Sequence, residues 1–228
     1  MSNAPCVLAA CGMPFEAAIA EGPGVVGVCG PGPWRVTQRL HGMLDGSGPW
    51  AGIISFGCAG GLDPDLACGD CVVATGVLTP GGLIATDPDW SRALLDRLPG
   101  ARPGLLAGVD APVATAAAKA ALWHDAGATA VDMETHAAAL AARRHGLPFA
   151  ACRVVLDPAW RGVPAAALAG LDEGGVRAVL RALASAPGQI PALCVLARDA
   201  WVARRSLLRV RARLGPALGR YLAPSSVP

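Results

Sequence analysis

Residues 131–157, VDMETHAAALAARRHGLPFAACRVVLD, decide the fold: they read as the end of one strand, a helix and a second strand. Ala128 to Asp132 is a short β-prone run ending in an acid. Glu134 to His145 is rich in Ala, with Leu140 among them, and Gly146 stops it, with Pro148 just beyond, because glycine closes helices in a conformation that other residues resist. Phe149 to Leu156 is apolar and β-prone and runs into Asp157-Pro158. A helical crossover predicts parallel strands whose carboxyl ends share one sheet edge. Glu134 and Asp157 are then expected to face one crevice, where open α/β sheets bind ligands.

Working outward, the same alternation continues. Pro5 to Ala10, Val25 to Cys29, Gly52 to Phe56, Cys71 to Leu78 and Leu105 to Val109 read as strands. Gln38 to Met43, Ala114 to Ala126 and Leu171 to Ala184 read as helices. The expected fold is α/β: a single three-layer domain with a central mixed, mostly parallel sheet flanked by helices. From Pro191 the character changes. Leu193, Leu196, Ala200, Ala203, Leu207, Val210, Leu214 and Leu218 recur every three or four residues, the stripe of an amphipathic helix. From Arg198 onward seven arginines stand against Asp199 alone. The division is therefore residues 1–190 as the α/β domain and 191–228 as an Arg-rich helical tail. A basic amphipathic helix fits either a solvated face or peripheral contact with an anionic membrane.

Composition narrows the classes. With 53% hydrophobic and 16% charged residues in 228, the chain can bury a sizeable core and is not a disordered one. No apolar run reaches the length of a spanning helix, and the N-terminus has no basic-then-apolar leader pattern. Eight scattered cysteines do not make a disulfide scaffold, so a cytoplasmic protein with reduced thiols is expected, membrane-associated if the tail docks. Cys68-Gly-Asp-Cys71 has the spacing of a redox or zinc pair, but no second pair stands at ligand distance, and a turn before the next strand is the simpler reading. The tail has few aromatics among its arginines, which argues against nucleic-acid binding.

Two further segments carry chemistry. Gly57-Cys58-Ala59-Gly60-Gly61 follows a strand, and glycines there let backbone N–H groups approach a ligand. Glu16, five residues past the first strand, is an acid near a helix start, where the macrodipole favours it. It is also a third carboxylate at the same sheet edge.

Gly57–Leu62, Gly69-Asp70-Cys71-Val72-Val73, Val131-Asp132-Met133-Glu134 and Arg153-Val-Val-Leu-Asp157 together resemble the purine nucleoside phosphorylase and nucleosidase superfamily, across roughly residues 7 to 160. Within it, the Gly-Val-Asp-Ala-Pro-Val-Ala-Thr stretch at 108–115 and the Arg-rich tail are most similar to the hopanoid-associated phosphorylases, proposed to remove adenine from adenosylhopane. The resemblance implies that Asp157 protonates purine N7 as the glycosidic bond breaks, and that Glu134 holds the ribose hydroxyls. It implies further that Met133 packs beneath the sugar, that Cys58, Ala59 and Gly60 line the sugar side with Asp132 nearby, and that Val113 flanks the base. One branch of phosphorylases places arginines where Glu16 and Ser55 stand, to hold phosphate. The methylthioadenosine and adenosylhomocysteine nucleosidases place a glutamate at the first position, which orients water. Glu16 therefore favours hydrolysis, since a carboxylate repels phosphate by several kcal/mol at an effective dielectric of about 20. Arg35 or Arg39 keeps phosphate open as a co-substrate. The segment between Asp70 and Val131 is shorter than in the small-thioether nucleosidases, which implies an open 5′ side suited to a bulky, lipid-linked substituent.

The expected function is release of adenine from a 5′-modified adenosine, adenosylhopane first among them, without metal or organic cofactor. Alternatives are phosphorolysis of the same bond, a methylthioadenosine/adenosylhomocysteine nucleosidase, and a nucleoside-binding protein without catalysis. A homo-oligomer is expected by analogy with the family.

Overall fold

The computed structural model describes residues 5–46, 48–169, 177, 181–182 and 184–221. The helix expected over 171–184 lies largely outside them. Eight strands form one mixed sheet: β1 (Cys6–Cys11), β2 (Val25–Cys29), β3 (Trp50–Gly61), β4 (Cys71–Thr79), β5 (Gly82–Ala85), β6 (Arg102–Gly108), β7 (Ala128–Asp132) and β8 (Phe149–Asp157). The helices among the described residues are α1 (Pro14–Ala20), α2 (Pro33–Leu44), α3 (Pro88–Arg97), α4 (Ala116–Ala126), α5 (Thr135–Arg144), α6 (Ala165–Leu168) and α7 (Ile190–Leu214).

The period-two alternation of the strands divides the core. Val7, Ala9, Cys11, Ile54 and Phe56 point to one face, under α1, α3 and α7. Leu8, Ala10 and Ile53 point to the other, where Val36 and Leu40 of α2 and the alanines of α5 cover them. Alanine along α5 lets that helix lie close on the strands. Helix ends follow their local chemistry: Asp87 accepts from Trp90 N (2.8 Å) to open α3, Thr115 accepts from Ala118 N (3.1 Å) to open α4, and Gly127 closes α4 in the left-handed region (φ 62°).

Three expectations change. First, β7 and β8 are not parallel. β8 runs parallel to β3, whereas β7 is antiparallel to it and pairs only at Gly60↔Val131 and Gly61↔Ala130. The ends of the two strands still come to one place, because Gly60 pairs with Val131 of β7 on one side and with Asp157 of β8 on the other. Second, Gly57–Gly61 is not a loop but the end of a 12-residue β3. Its pairing with β8 continues through a register shift at Ala59/Gly60. Third, β8 bridges β3 and β4, so that β3, β7, β6, β4 and β8 close a ring. Closed rings leave no free edge.

At the C-terminal helix the stripe is realised in part. Ala203, Leu207, Val210 and Leu214 are buried in the same cluster as α1 and α3, whereas Leu218 lies beyond the helix, in a turn. Cys68–Cys71 is a turn entering β4. No helix among the described residues is long and apolar enough to cross a membrane.

Candidate active site

The end of β3 gathers the acids. β1 stops at Cys11, Gly12 and Met13 turn, and Pro14 opens α1, so Glu16 falls in the first helical turn. Its side chain folds back on the helix start: Oε2 accepts from Gly12 N (3.0 Å) and Met13 N (2.9 Å), and Oε1 accepts from Cys58 N (2.8 Å). Three main-chain donors thus fix a buried carboxylate between α1 and β3. Two glycines make room for it and its neighbour. A Cβ at Gly57 would sit 2.7 Å from Glu16 Cδ, and one at Gly12 would sit 2.9 Å from Glu134 Cδ.

Beside these carboxylates stands Arg153 on β8, 1% exposed. Its Nη2 donates to Ser55 Oγ (2.5 Å), its Nη1 to the Cys58 carbonyl (3.3 Å), and its Nε to Thr135 Oγ1 (3.2 Å). Its charge is matched by Asp132, 3.1 Å from Nε, and by Glu134, 3.8 Å from Nη2. Burial by itself would lower the affinity of the guanidinium for its proton, but Asp132 and then Glu134 hold it above its ordinary value. Asp132 is committed within the protein: it accepts from Glu134 N (2.8 Å) and Thr135 N (2.6 Å) at the start of α5 and bonds the Thr135 hydroxyl. Helix α5 and Arg153 are locked together through it.

Glu134 accepts from Gly32 N (2.9 Å). Burial pushes its carboxyl up to about 7, against the pull of Arg153 and with a further push from Asp132. A proton held more tightly in the folded state stabilises the fold at low pH, and that contribution is lost as pH rises through the folded value. Glu134 should therefore lose its contribution between its ordinary 4.5 and about 7. Glu134→Gln is expected to flatten that part of the Tm–pH curve; a variant curve parallel to the wild type would refute the burial of this acid.

Asp157 ends β8 against Gly60, where a Cβ would lie 3.4 Å from Oδ2. Burial raises its carboxyl above the usual range, and Lys119 pulls in the opposite direction. Lys119, on α4, is fully buried and forms an ion pair with Oδ2. Among the other predicted residues, Ala59 is buried, and Cys58 and Gly60 are half-buried on β3. Met133 is half-buried, its Cε 3.9 Å from where a Gly32 Cβ would lie. Val113 is partly buried and packs against the cluster of Leu62, Ala107, Ala128 and Val131. The sequence reading missed Arg153 and Lys119. A charged residue inside the apolar run of β8, and a lone lysine among 19 basic residues, were the available signals.

A cavity of about 830 Å³ lies between α2 and α5, lined by Trp34, His136 and Leu140 among others; none of Glu16, Glu134 and Asp157 lines it. No group of three or more His, Cys, Asp or Glu side chains among the described residues could hold a metal ion.

The closed ring of strands, with the carboxylates and the buried guanidinium of Arg153 at the end of β3, accompanies a match to the family model of the Phosphorylase superfamily. The chain belongs to that superfamily, whose profile matches residues 17–185. The fold is shared with solved nucleosidases. Futalosine hydrolase of Helicobacter pylori superposes with a TM-score of 0.64 at 16% identity, covering 92% of this chain and 97% of that one. The 5′-methylthioadenosine/S-adenosyl homocysteine nucleosidase of the same organism gives 0.64 at 16%, covering 93% and 100%. S-adenosylhomocysteine nucleosidase of Streptococcus pyogenes gives 0.62 at 17%, covering 91% and 98%. No curated protein sequence matches the chain.

Proposed function

We propose that this protein hydrolyses the N-glycosidic bond of a 5′-modified adenosine and releases adenine. The observation that carries the reading is the charge at the end of β3: Glu16, Asp132 and Glu134 all act on one buried guanidinium, Arg153. An excess of carboxylates disfavours a phosphate dianion and suits a neutral nucleophile. Each nitrogen of Arg153 already donates within the protein, its charge is matched by Asp132 and Glu134, and Ser55 is taken up by Arg153 and Thr135. Water thus fits better than phosphate, in keeping with the hydrolases of the same fold.

The chemistry balances as follows. The water oxygen bonds to C1′ and its proton passes to Glu16. The C1′–N9 bond breaks with its electron pair going to the purine, and Asp157 gives a proton to N7. Glu134 holds the ribose hydroxyls, which bear on the oxocarbenium-like transition state. Met133 lies beneath the sugar, Cys58, Ala59 and Gly60 line it, and Val113 flanks the base.

A lipid-linked 5′ substituent, as in adenosylhopane, is supported by the outer face of α7. Ile190, Val195, Trp201 and Leu208 are exposed there beside exposed Arg198, Arg204, Arg205 and Arg209, and Arg205 stacks 4.7 Å over Trp201. The acid of that helix, Asp199, is buried, so the outer face carries only positive charge and apolar bulk. Each such arginine contributes about 1 kcal/mol at an anionic leaflet.

One experiment tests these parts together: product analysis with methylthioadenosine in solution and adenosylhopane in phosphatidylserine vesicles, each with and without phosphate. Free adenine and the unphosphorylated ribosyl product are expected in both conditions, with adenosylhopane preferred. A ribose 1-phosphate product would replace hydrolysis by phosphorolysis. Equal turnover of both nucleosides would remove the lipid reading, and adenine release from neither would leave a binding protein.

A further inference from the structure

Lys119 is the single lysine among 19 basic residues, and it is fully buried. Every other basic position in the chain uses arginine. Its ammonium reaches the Asp157 carboxylate at Oδ2 and three carbonyl oxygens: Asp157 (3.2 Å), Pro158 (3.0 Å) and Arg161 (3.0 Å). A compact ammonium fits this converging set, whereas the flat fork of a guanidinium does not. Burying a charge only to support a turn is costly, and an apolar side chain of similar volume commonly serves as well or better. The cluster is therefore more than packing. It clamps one oxygen of Asp157, while Oδ1 takes no hydrogen bond from another side chain among the described residues. The whole clamp is braced from the C-terminal helix, because Arg161 pairs with the buried Asp199 of α7.

Resting on the reading of Asp157 as the general acid, we propose that Lys119 is a positioning residue: it fixes Asp157 through Oδ2, leaves Oδ1 to the nucleobase, and neutralises the carboxylate formed when the acid gives up its proton. In that step the Asp157 O–H bond breaks, N7–H forms, and the electron pair of the glycosidic bond moves onto the purine. The negative charge left on Asp157 appears beside an ammonium already in place, with no solvent to reorganise. The charged and titratable groups acting on Asp157 are Lys119 from α4 and Arg161 from the loop after β8, with the Cys68 thiol on the turn before β4.

The test is Lys119→Met, read in two ways. Carbon-13 NMR of the Asp157 carboxyl, assigned by its loss in Asp157→Asn, should show the titration midpoint rising by about one pH unit or more, since an opposite charge at contact depresses a carboxyl by that amount. The alkaline limb of the pH profile of kcat/KM for adenine release should rise by the same interval, with kcat reduced and KM little changed. An unmoved midpoint, or reduced activity with an unmoved profile, overturns the proposal and leaves Lys119 a structural residue. A moved midpoint in a protein that releases no base overturns the hydrolase reading instead and leaves the ion pair standing. Should Lys119→Met not fold, Lys119→Gln keeps donors for the carbonyls, removes the charge and carries the same expectations.

Discussion

Glu16→Gln is expected to lower kcat by about 10²–10⁴ while leaving nucleoside binding close to wild type, the usual scale for removing a group that accepts a proton in the transition state. The geometry adds a consequence that a surface acid would not have. Glu16 accepts from three main-chain N–H groups, two on Oε2 and one on Oε1. A glutamine has one acceptor oxygen, so whichever way its amide is turned, at least one of these N–H groups faces an NH₂. That mismatch costs about 1–3 kcal/mol, the penalty for a buried donor without its acceptor. Urea unfolding should register this loss together with the kinetic one. Adenine release at the wild-type rate would sink the assignment of Glu16 to the nucleophile.

Asp157→Asn should be as damaging to turnover, again by about 10²–10⁴, because an amide cannot pass a titratable proton to the departing base. It also strands the ammonium of Lys119, fully buried and left with only carbonyl oxygens. Removing one partner of a buried ion pair costs about 3–5 kcal/mol. The double variant Asp157→Asn/Lys119→Met should recover much of that stability and none of the activity. Stability and catalysis therefore separate at this pair, and denaturant unfolding beside steady-state kinetics reads both. Wild-type turnover in the single variant would remove Asp157 from the mechanism.

The sequence made the site partly legible. The strand–helix–strand elements of residues 128–157 stand where the periodicity placed them, and so do the acids at the strand ends. What local pattern could not carry was relative direction. A helix between two strands predicts that they run parallel, but β7 touches β3 at only two positions and from the opposite sense. The meeting of the ends of β7 and β8 was thus expected for a reason that does not hold, and the long β3 brings it about, with Gly60 between Val131 and Asp157. Gly57–Gly61 reads as the stretch that follows a strand because its small residues are poor strand formers, whereas here it is strand that must let Glu16 and Asp157 lie against it. Arg153 and Lys119 stand out in the sequence, but no role could be read for them there because their partners, Ser55, Asp132 and Asp157 among them, are distant in sequence and near only in the fold.

The ring of β3, β7, β6, β4 and β8 also sets a timetable for synthesis. Its closing strand, residues 149–157, is the last of the eight to leave the ribosome. Until then β3 and β4 present open edges with nothing between them, the form in which nascent sheets meet wrong partners. The same strand brings Arg153 and Asp157, so a nascent chain gains its final sheet pairing and its charged centre in one event. Chains that end before residue 149 lack the strand that closes the ring.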